Sequence, residues 1–264
     1  RRRHTRYGTV TGVQTCALPI LGAVAIQVAA NFANDASDAR RGADAVRLGP
    51  PRMVALGEIT ARSMWTATWL AIAAAGVAAV ALTAIAGPLI LVIGVASVIA
   101  MLGYVGGPLP YGYRGLGEVF VFVFFGLVAT VGSAYVQPAG WSGRAWLAAV
   151  AVGALATALL VTNNLRDIPT DAETGKRTLA VRLGDGRTRL LFAALLVAPF
   201  GLALALAFDR PWALLALGAM PVAALAVRPV RAGAMGRDLI PVLEATGRTQ
   251  LSYGVLLTVG LWVG

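Results

Sequence analysis

The sequence has almost none of the residues that support thiol, zinc or imidazole chemistry. It contains a single cysteine, Cys16, and a single histidine, His4, in 264 residues. Both lie in the first twenty residues, a segment that we expect to be outside the fold. A domain without cysteine or histidine can form no disulfide, no thiolate zinc site, no histidine-ligated haem and no Ser-His or Cys-His catalytic pair. Any chemistry is therefore left to carboxylates, amides, hydroxyls, basic groups and metal ions.

Residues 1–20 differ in character from the rest of the chain. The segment has no helical periodicity, and its basic start is not followed by the apolar core of a signal peptide. The stretch from Val10 to Ile20 looks like translated sequencing adapter joined to a truncated gene. We therefore expect 1–20 to be non-native, 21–264 to form one transmembrane domain, and the beginning of its first helix to be lost. A genuine but unusual N-terminal tail is the alternative.

Charged residues are also scarce. They make up 13% of the chain, about half the usual share, whereas hydrophobic residues make up 58%. A helix of about twenty apolar residues crosses the roughly 30 Å of hydrocarbon in a bilayer. The sequence therefore predicts an all-α, multi-pass membrane bundle. We expect eight helices, near 18–33, 54–83, 88–105, 117–137, 145–164, 188–208, 211–228 and 249–264.

The net charge of +10 is distributed unevenly along the chain. No segment combines basic and aromatic residues in the way of a nucleic-acid-binding surface, so no nucleic acid is expected as a partner. Basic residues are instead concentrated in alternate connections, and the intervening turns contain only Arg144 and Arg210. By the positive-inside rule, the basic connections face the cytoplasm of a protein in the cell membrane.

The twelve acidic residues include two clusters, each at the end of an apolar run. The first cluster contains Asn31, Asn34, Asp35 and Asp38, followed by Asp44. If the helix continues through it, Asn31, Asp35 and Asp38 lie on one face. The second cluster contains Asn163, Asn164, Asp167 and Asp171. Its two aspartates repeat a spacing of four residues, which places like charges side by side.

Paired carboxylates of this kind need a cation to hold them together. Helix capping is an alternative explanation, but one cap needs a single Asn, Asp or Ser rather than four polar residues in eight positions. Mg²⁺ prefers oxygen ligands and commonly binds through one or two carboxylates together with substrate phosphate oxygens. Intramembrane carboxylates also mark ion pathways, so a secondary transporter is a further alternative. Carboxylates of transporters usually lie singly and in mid-helix.

Two other stretches could complete a phosphate site. Lys176 and Arg177 follow the second acidic cluster, and both side chains donate well to phosphate oxygens. The Gly/Pro-rich stretch 104–118 includes Tyr113, Arg114 and Glu118. Its aromatic residues could lie near a developing cation, and Glu118 could act as an intramembrane acid or base. An interfacial aromatic belt for the tyrosines and a helix N-terminal charge for Glu118 are equally compatible with the sequence.

The motif Asn34-Asp35-x-x-Asp38 with the later Asp167-x-x-x-Asp171 resembles that of the intramembrane aromatic prenyltransferases. More narrowly, residues 31–44, 104–118 and 163–184 are similar to the branch that prenylates 1,4-dihydroxy-2-naphthoate in menaquinone synthesis. The resemblance covers about residues 21–264. It implies a nine-helix bundle around a central cavity that opens to lipid, with the first of the nine helices missing here.

The resemblance also implies roles for individual residues. The four aspartates of the motif would coordinate Mg²⁺ on a polyprenyl diphosphate, with Asn34 and Asn164 nearby. Basic residues would bind the diphosphate. Asn31, Tyr113 and Glu118 are further candidates for the substrate site from their own place in the sequence. The reaction implied is attack of the naphthoate ring on the prenyl cation, with loss of CO2 and diphosphate, to give demethylmenaquinone. A prenyltransferase of the same superfamily with another aromatic acceptor is the main alternative. The aspartates are Asp35, Asp38, Asp167 and Asp171, and the basic residues are Lys176, Arg177 and Arg114.

Overall fold

The structure is a computed structural model that describes residues 9–40, 52–106, 110–137 and 140–263. These residues form helices and turns, with no β-strand among them. The helices are α1 (Thr9–Arg40), α2 (Ala61–Ala86), α3 (Leu89–Val105), α4 (Gly117–Tyr135), α5 (Gly143–Arg166), α6 (Ile168–Glu173), α7 (Leu179–Ala207), α8 (Pro211–Arg231) and α9 (Ile240–Val263). Each of the eight predicted apolar runs corresponds to a long helix, although α2 begins at Ala61 rather than near residue 54, because Thr60 caps it and the residues before it form turns. Helix α6 is an additional short one. The predicted all-α fold is confirmed.

Six of the long helices are apolar enough and long enough to cross a membrane within the described ranges: α1, α2, α4, α5, α7 and α8. Helix α3 is a shorter apolar helix over Leu89–Tyr104. Many large apolar side chains on these helices face outward, among them Leu70, Val77 and Ile99. An outward apolar surface of this extent suits lipid rather than water. The protein is therefore a multi-pass helical membrane protein.

Small side chains let the helices of the second half of the chain pack closely. Helices α5, α7, α8 and α9 share one core, in which many alanines are completely buried between larger side chains such as Phe192 and Leu155. In lipid, helices associate through close van der Waals packing, and small residues permit it. Tyr253 of α9 reaches across this core, and its hydroxyl donates to the carbonyl of Pro199 in α7 at 2.8 Å.

Helix α1 begins at Thr9, so residues 9–20 are helical and continuous with the apolar segment that follows. Residues 9–20 are thus part of a helix although their sequence has no helical periodicity, and the non-native origin of residues 1–20 stays a prediction. Pro19, inside the helix, cannot donate to the carbonyl of Thr15. The side chain of Gln137, two residues after the end of α4, donates that hydrogen bond at 2.8 Å. Leu18 also packs against a small apolar core formed by residues of α2, of α3 and of the C-terminal end of α4.

Two further helices begin earlier than predicted. Helix α7 begins at Leu179 rather than near residue 188, because Thr178 caps it by accepting a hydrogen bond from the Val181 amide. Its first turns contain Gly184 in a left-handed conformation, which kinks the helix. Helix α9 begins at Ile240 rather than near residue 249.

Successive long helices run in opposite directions, so their connections alternate between the two ends of the bundle. At one end, the turn Tyr111–Arg114 contacts the stretch after α6 through a hydrogen bond from the Arg177 amide to the Tyr113 carbonyl. At the other end, Arg144 in the first turn of α5 pairs with Asp209 after α7 at 3.5 Å. This alternation is the one that the basic connections predicted, and it gathers both acidic clusters at the first end.

Candidate active site

The first acidic cluster lies in the last turns of α1, which continues without a break to Arg40. The helical face predicted from the spacing is therefore present. Asp35 and Asp38 are buried on that face, whereas Asn31 is exposed and Asn34 is half-buried. The Asn31 side chain donates to the carbonyl of Gln27 on its own helix at 2.9 Å. The two aspartates are thus the members of this cluster that point into the protein.

Asp35 and Asp38 have different partners. Asp35 accepts hydrogen bonds from the backbone amides of Met53 and Val54, at 3.2 and 3.3 Å, which fix the chain before α2 against the end of α1. Asp38 accepts a hydrogen bond from the Tyr113 hydroxyl at 2.8 Å and pairs with Arg52 at 3.9 Å. Arg52 also donates to the Asn31 carbonyl. Asp44 lies outside the described residues.

In the second acidic cluster, Asp167 is held by the residue that precedes it. Asp167 joins α5 to α6, and both of its carboxylate oxygens accept from Arg166, each at 2.7 Å. The Arg166 side chain is only 1% exposed, so this pair is largely removed from water. Sequence reasoning treated Arg166 as one of the basic residues that orient the protein. Nothing in its position in the sequence distinguishes Arg166 from the other arginines between α5 and α7 as a partner of Asp167.

Asp171 lies in α6, one helical turn after Asp167, and its amide donates to the Asp167 carbonyl at 2.8 Å. Its Oδ1 pairs with the Lys176 ammonium at 3.5 Å, and its Oδ2 is buried with no hydrogen-bond partner among the described residues. Burial raises the pKa of Asp171 to about 6. Asp167 and Asp38 raise this pKa further, whereas Lys176 opposes the rise. The raised pKa of Asp171 therefore reflects chiefly the removal of its carboxyl group from water.

Tyr113 connects the two clusters. Its hydroxyl binds Asp38 of the first cluster, and the Lys176 ammonium lies 5.4 Å from the centre of its ring. Lys176 in turn pairs with Asp171 of the second cluster. A continuous path of contacts therefore runs from Asp38 through Tyr113 and Lys176 to Asp171. Residues that are more than 130 positions apart in the sequence share one site at one end of the bundle.

The other two predicted basic residues lie beside this path. Arg114 follows Tyr113 in the same 3₁₀ turn, and Arg177 follows Lys176. Both side chains are exposed, and the backbone hydrogen bond between Arg177 and Tyr113 places their segments side by side. They are therefore positioned at the edge of the site rather than inside it.

Glu118 and Asn164 form a separate buried pair. Glu118 lies in the first turn of α4 and Asn164 near the end of α5, and the Asn164 amide donates to Oε1 of Glu118 at 2.8 Å. The two residues were predicted separately, and the structure brings them together. Glu118 follows Tyr113 by five residues and Asn164 precedes Asp167 by three, which places the pair next to the Asp38–Asp171 path.

The donor atoms of the site suit a hard cation that is shared with a substrate. Within the described ranges, no three acidic, histidine or cysteine side chains converge as a ready-made metal cage. Mg²⁺ typically uses one or two protein carboxylates and completes its shell with water and phosphate oxygens. The buried Oδ2 of Asp171, which has no partner in the described part of the chain, is an oxygen of the required kind. The residues present therefore fit such an ion.

The chain has apolar helices that can cross a membrane, and acidic and basic side chains face each other at one end of the bundle. It is therefore a membrane protein with a polar site near one membrane surface. The model of the UbiA prenyltransferase family matches residues 6–235. The chain belongs to the UbiA prenyltransferase family.

Several relatives align over nearly the whole chain. The 1,4-dihydroxy-2-naphthoate octaprenyltransferase of Mycobacterium tuberculosis is 44% identical over 249 residues, covering 94% of this chain and 85% of that protein. The protein of the same name from Escherichia coli is 36% identical over 257 residues, covering 93% of this chain and 83% of its own length. The Bacillus subtilis protein of that name is 30% identical, covering 90% and 78%. The resemblance predicted from the three motifs is confirmed.

Proposed function

We propose that this protein transfers a polyprenyl group from a polyprenyl diphosphate to 1,4-dihydroxy-2-naphthoate in the cell membrane. In the net reaction, the allylic C–O bond breaks and its electrons leave with the diphosphate. A C–C bond forms to the naphthalene ring, and the carboxyl group leaves as CO2. No electron acceptor takes part in this exchange. The product therefore forms at the hydroquinone level, as the reduced form of demethylmenaquinone.

One observation carries the proposal: the contact path from Asp38 through Tyr113 and Lys176 to Asp171. It joins two carboxylates from different halves of the chain to a lysine that can bind phosphate oxygens. The choice of donor and acceptor is supported by the names of the relatives, several of which are 1,4-dihydroxy-2-naphthoate octaprenyltransferases. The positive-inside pattern supports a site that faces the cytoplasm.

Within this proposal, Asp35, Asp38, Asp167 and Asp171 would hold Mg²⁺. The bound ion would neutralise negative charge that develops on the departing diphosphate. Lys176, Arg177 and Arg114 would donate hydrogen bonds to the diphosphate oxygens, Lys176 from within the site and the two arginines from its edge. The side chains of Asn31 and Asn34 lie on the same turns of α1 and would contribute to the polar surroundings of the donor.

The remaining protein groups of the site would orient these charges. Tyr113 fixes one oxygen of Asp38, and its ring faces Lys176, so it would hold the two clusters at a constant separation. The backbone amides of Met53 and Val54 orient Asp35 in the same way. Preorganised charges in a site with little water stabilise developing charge more strongly than the same groups do in solution.

The direct test uses membranes containing the protein, a radiolabelled polyprenyl diphosphate and 1,4-dihydroxy-2-naphthoate labelled at its carboxyl carbon. We expect prenylated product and labelled CO2 in equal amounts, loss of both with EDTA, and recovery with added Mg²⁺. 4-Hydroxybenzoate serves as the comparison acceptor. Product from 4-hydroxybenzoate but not from the naphthoate would instead support a prenyltransferase with another acceptor. Gradient-driven uptake without diphosphate release would support a transporter.

Substitution of Asp171 tests the carboxylate assignment. Asp171→Asn keeps the size of the side chain but removes the negative charge that would hold the cation. We expect kcat to fall by at least about 100-fold. Asp209→Asn is the matched control, because Asp209 is exposed at the opposite end of the bundle, and it should leave the rate unchanged. Full activity of Asp171→Asn at saturating Mg²⁺ would contradict the assignment.

A further inference from the structure

Glu118 combines deep burial with an unused acceptor. The residue is only 5% exposed. Its Oε1 accepts a hydrogen bond from Asn164 at 2.8 Å, whereas its Oε2 is buried with no partner among the described residues. A buried carboxylate oxygen that lacks a hydrogen bond destabilises the fold unless something else satisfies it. The position of Glu118 therefore points to a ligand group that donates to Oε2.

The surroundings of Glu118 are aromatic and apolar on one side and charged on the other. A Cβ added to the neighbouring Gly117 would lie 3.2 Å from the Tyr104 ring and 3.3 Å from Leu160. Tyr104 packs edge-on against Tyr111, and Tyr111 stacks on Phe120 with 3.8 Å between ring centres. On the charged side, Asn164, which binds Glu118, is followed at the end of α5 by the Arg166–Asp167 pair. A flat aromatic ligand with a polar edge suits such a boundary.

Two other roles for Glu118 fit the contacts less well. As a helix N-terminal charge, it would be stabilised equally well in solvent and would need no buried asparagine. As a diphosphate ligand, it would repel the oxygens that Lys176 attracts. An uncharged hydrogen-bond donor satisfies Oε2 without either of these conflicts, and the Mg²⁺ dependence of a Glu118 variant distinguishes this role from that of a metal ligand.

We propose that Oε2 of Glu118 accepts a hydrogen bond from a ring hydroxyl of the aromatic acceptor, with Asn164 as the positioning residue that orients the carboxylate. The proposal rests on the proposed prenyl transfer and specifies how its acceptor is recognised. The hydrogen bond involves no proton transfer. It fixes the ring relative to the diphosphate site and increases the electron density of the ring that attacks the prenyl group.

Glu118→Gln is the decisive variant, because glutamine retains an oxygen for Asn164 but replaces Oε2 with an NH2 group that cannot accept. We expect KM for the naphthoate to rise by about 10- to 100-fold, the range expected for one lost hydrogen bond to a charged group. KM for the polyprenyl diphosphate and the Mg²⁺ dependence should stay the same. Glu173→Gln is the matched control, since Glu173 is exposed in α6, close to the site but outside it.

Acceptor analogues test the contact itself. We would measure 1-hydroxy-2-naphthoate and 4-hydroxy-2-naphthoate, each lacking one ring hydroxyl, as competitive inhibitors of the wild-type protein and of Glu118→Gln. The analogue without the hydroxyl that binds Glu118 should inhibit both proteins equally. The other analogue should lose about 10-fold or more in the variant. Asn164→Ala should selectively weaken binding of the analogue that retains the hydroxyl bound by Glu118.

The outcomes separate this proposal from the function on which it rests. If the wild-type protein prenylates no naphthoate, the proposed function itself fails. If the wild type is active and Glu118→Gln has an unchanged acceptor KM, only the role of Glu118 is overturned. An increased Mg²⁺ requirement in Glu118→Gln would also overturn it, because Glu118 would then be a metal ligand. A melting temperature equal to that of the wild type establishes that the variant is folded.

Discussion

Arg166 and Asp167 form an ion pair with two parallel hydrogen bonds of 2.7 Å, in which the arginine side chain is 1% and the aspartate 24% exposed. A guanidinium matches a carboxylate in this geometry, whereas a lysine ammonium provides a single charge centre. Arg248 and Glu244 in α9 form a pair of similar length, 2.6 Å, but their side chains are 68% and 64% exposed. The two pairs therefore differ in their access to water and in their number of hydrogen bonds, which is two for Arg166 and one for Arg248.

Arg166→Lys should lower the free energy of unfolding by about 1–3 kcal/mol, because one hydrogen bond to a charged group is lost in a buried position. Arg248→Lys should change it by less than about 0.5 kcal/mol, since water screens the exposed pair. The measurement is thermal unfolding of both variants in the same detergent. Equal shifts for the two variants would mean that burial does not determine the strength of the Arg166 pair.

Residue types and spacing were sufficient to predict the acidic half of the site, but not its partners. The positions of Asp35 and Asp38 on one helix face followed from the 3.6-residue period. Arg52 and Arg166 carry the same charge as other loop arginines, and only the folded chain brings them to the aspartates. Tyr113 was predicted to lie near a cation or at the membrane surface. Its contact with Asp38 depends on a separation of 75 residues that no local pattern reveals.

At the level of elements, α4 and α5 approach each other unusually closely at Gly126 and Gly153. A Cβ on Gly126 would lie 2.3 Å from the Gly153 Cα, far inside any allowed contact. Gly126 belongs to the π-helical segment Phe122–Val128 of α4. Segments of this kind are often found at functional positions, and this one lies a few residues after Glu118. The close contact therefore fixes α4, which carries Glu118 in its first turn, relative to α5, which carries Asn164 near its end.

Gly126→Ala should lower the free energy of unfolding by about 1–3 kcal/mol, because the two helices must separate to admit the methyl group. Gly132→Ala, in the same helix, is the control, since a Cβ there meets nothing within 4 Å. The control should be neutral or stabilise the protein by up to about 1 kcal/mol through helix propensity alone. Thermal unfolding of both variants distinguishes the effects. A stability of Gly126→Ala equal to that of Gly132→Ala would contradict the close contact.

The helices themselves were predictable from apolar runs, but several of their ends were not. In α1, the residues before Pro19 carry no helical pattern, and the distant side chain of Gln137 satisfies the carbonyl that the proline leaves without a donor. In α7, the polar composition of the first turns resembled a loop, yet Thr178 caps a short helical segment there, which the non-helical backbone of Gly184 separates from the longer apolar segment. Local propensity is a weak guide wherever tertiary contacts supply the missing hydrogen bonds.

At the level of the whole molecule, the alternation of the helices assigns every connection to one of two ends. The site residues lie at the end that contains most of the basic loop residues, while Asp209 lies at the other end with Arg144 and Arg210. A charge asymmetry of this size sets the orientation of a multi-pass protein during insertion. In the proposed reaction, the same asymmetry would place basic side chains at the membrane surface where the aromatic acceptor enters and the diphosphate leaves. The orientation of the protein in the membrane therefore determines from which side its substrates reach the site.

Cysteine labelling tests this orientation in cells. Cys16 is exposed and is first replaced by serine. In that background, Asp209→Cys and Glu173→Cys each introduce one exposed thiol, at opposite ends of the bundle. A membrane-impermeant maleimide added to intact spheroplasts should label Asp209→Cys but not Glu173→Cys, and both should react after permeabilisation. The reverse pattern would place the site outside the cytoplasm. A diphosphate substrate made in the cytoplasm could then not reach Asp171, so this result would count against the proposed prenyl transfer as well as against the topology.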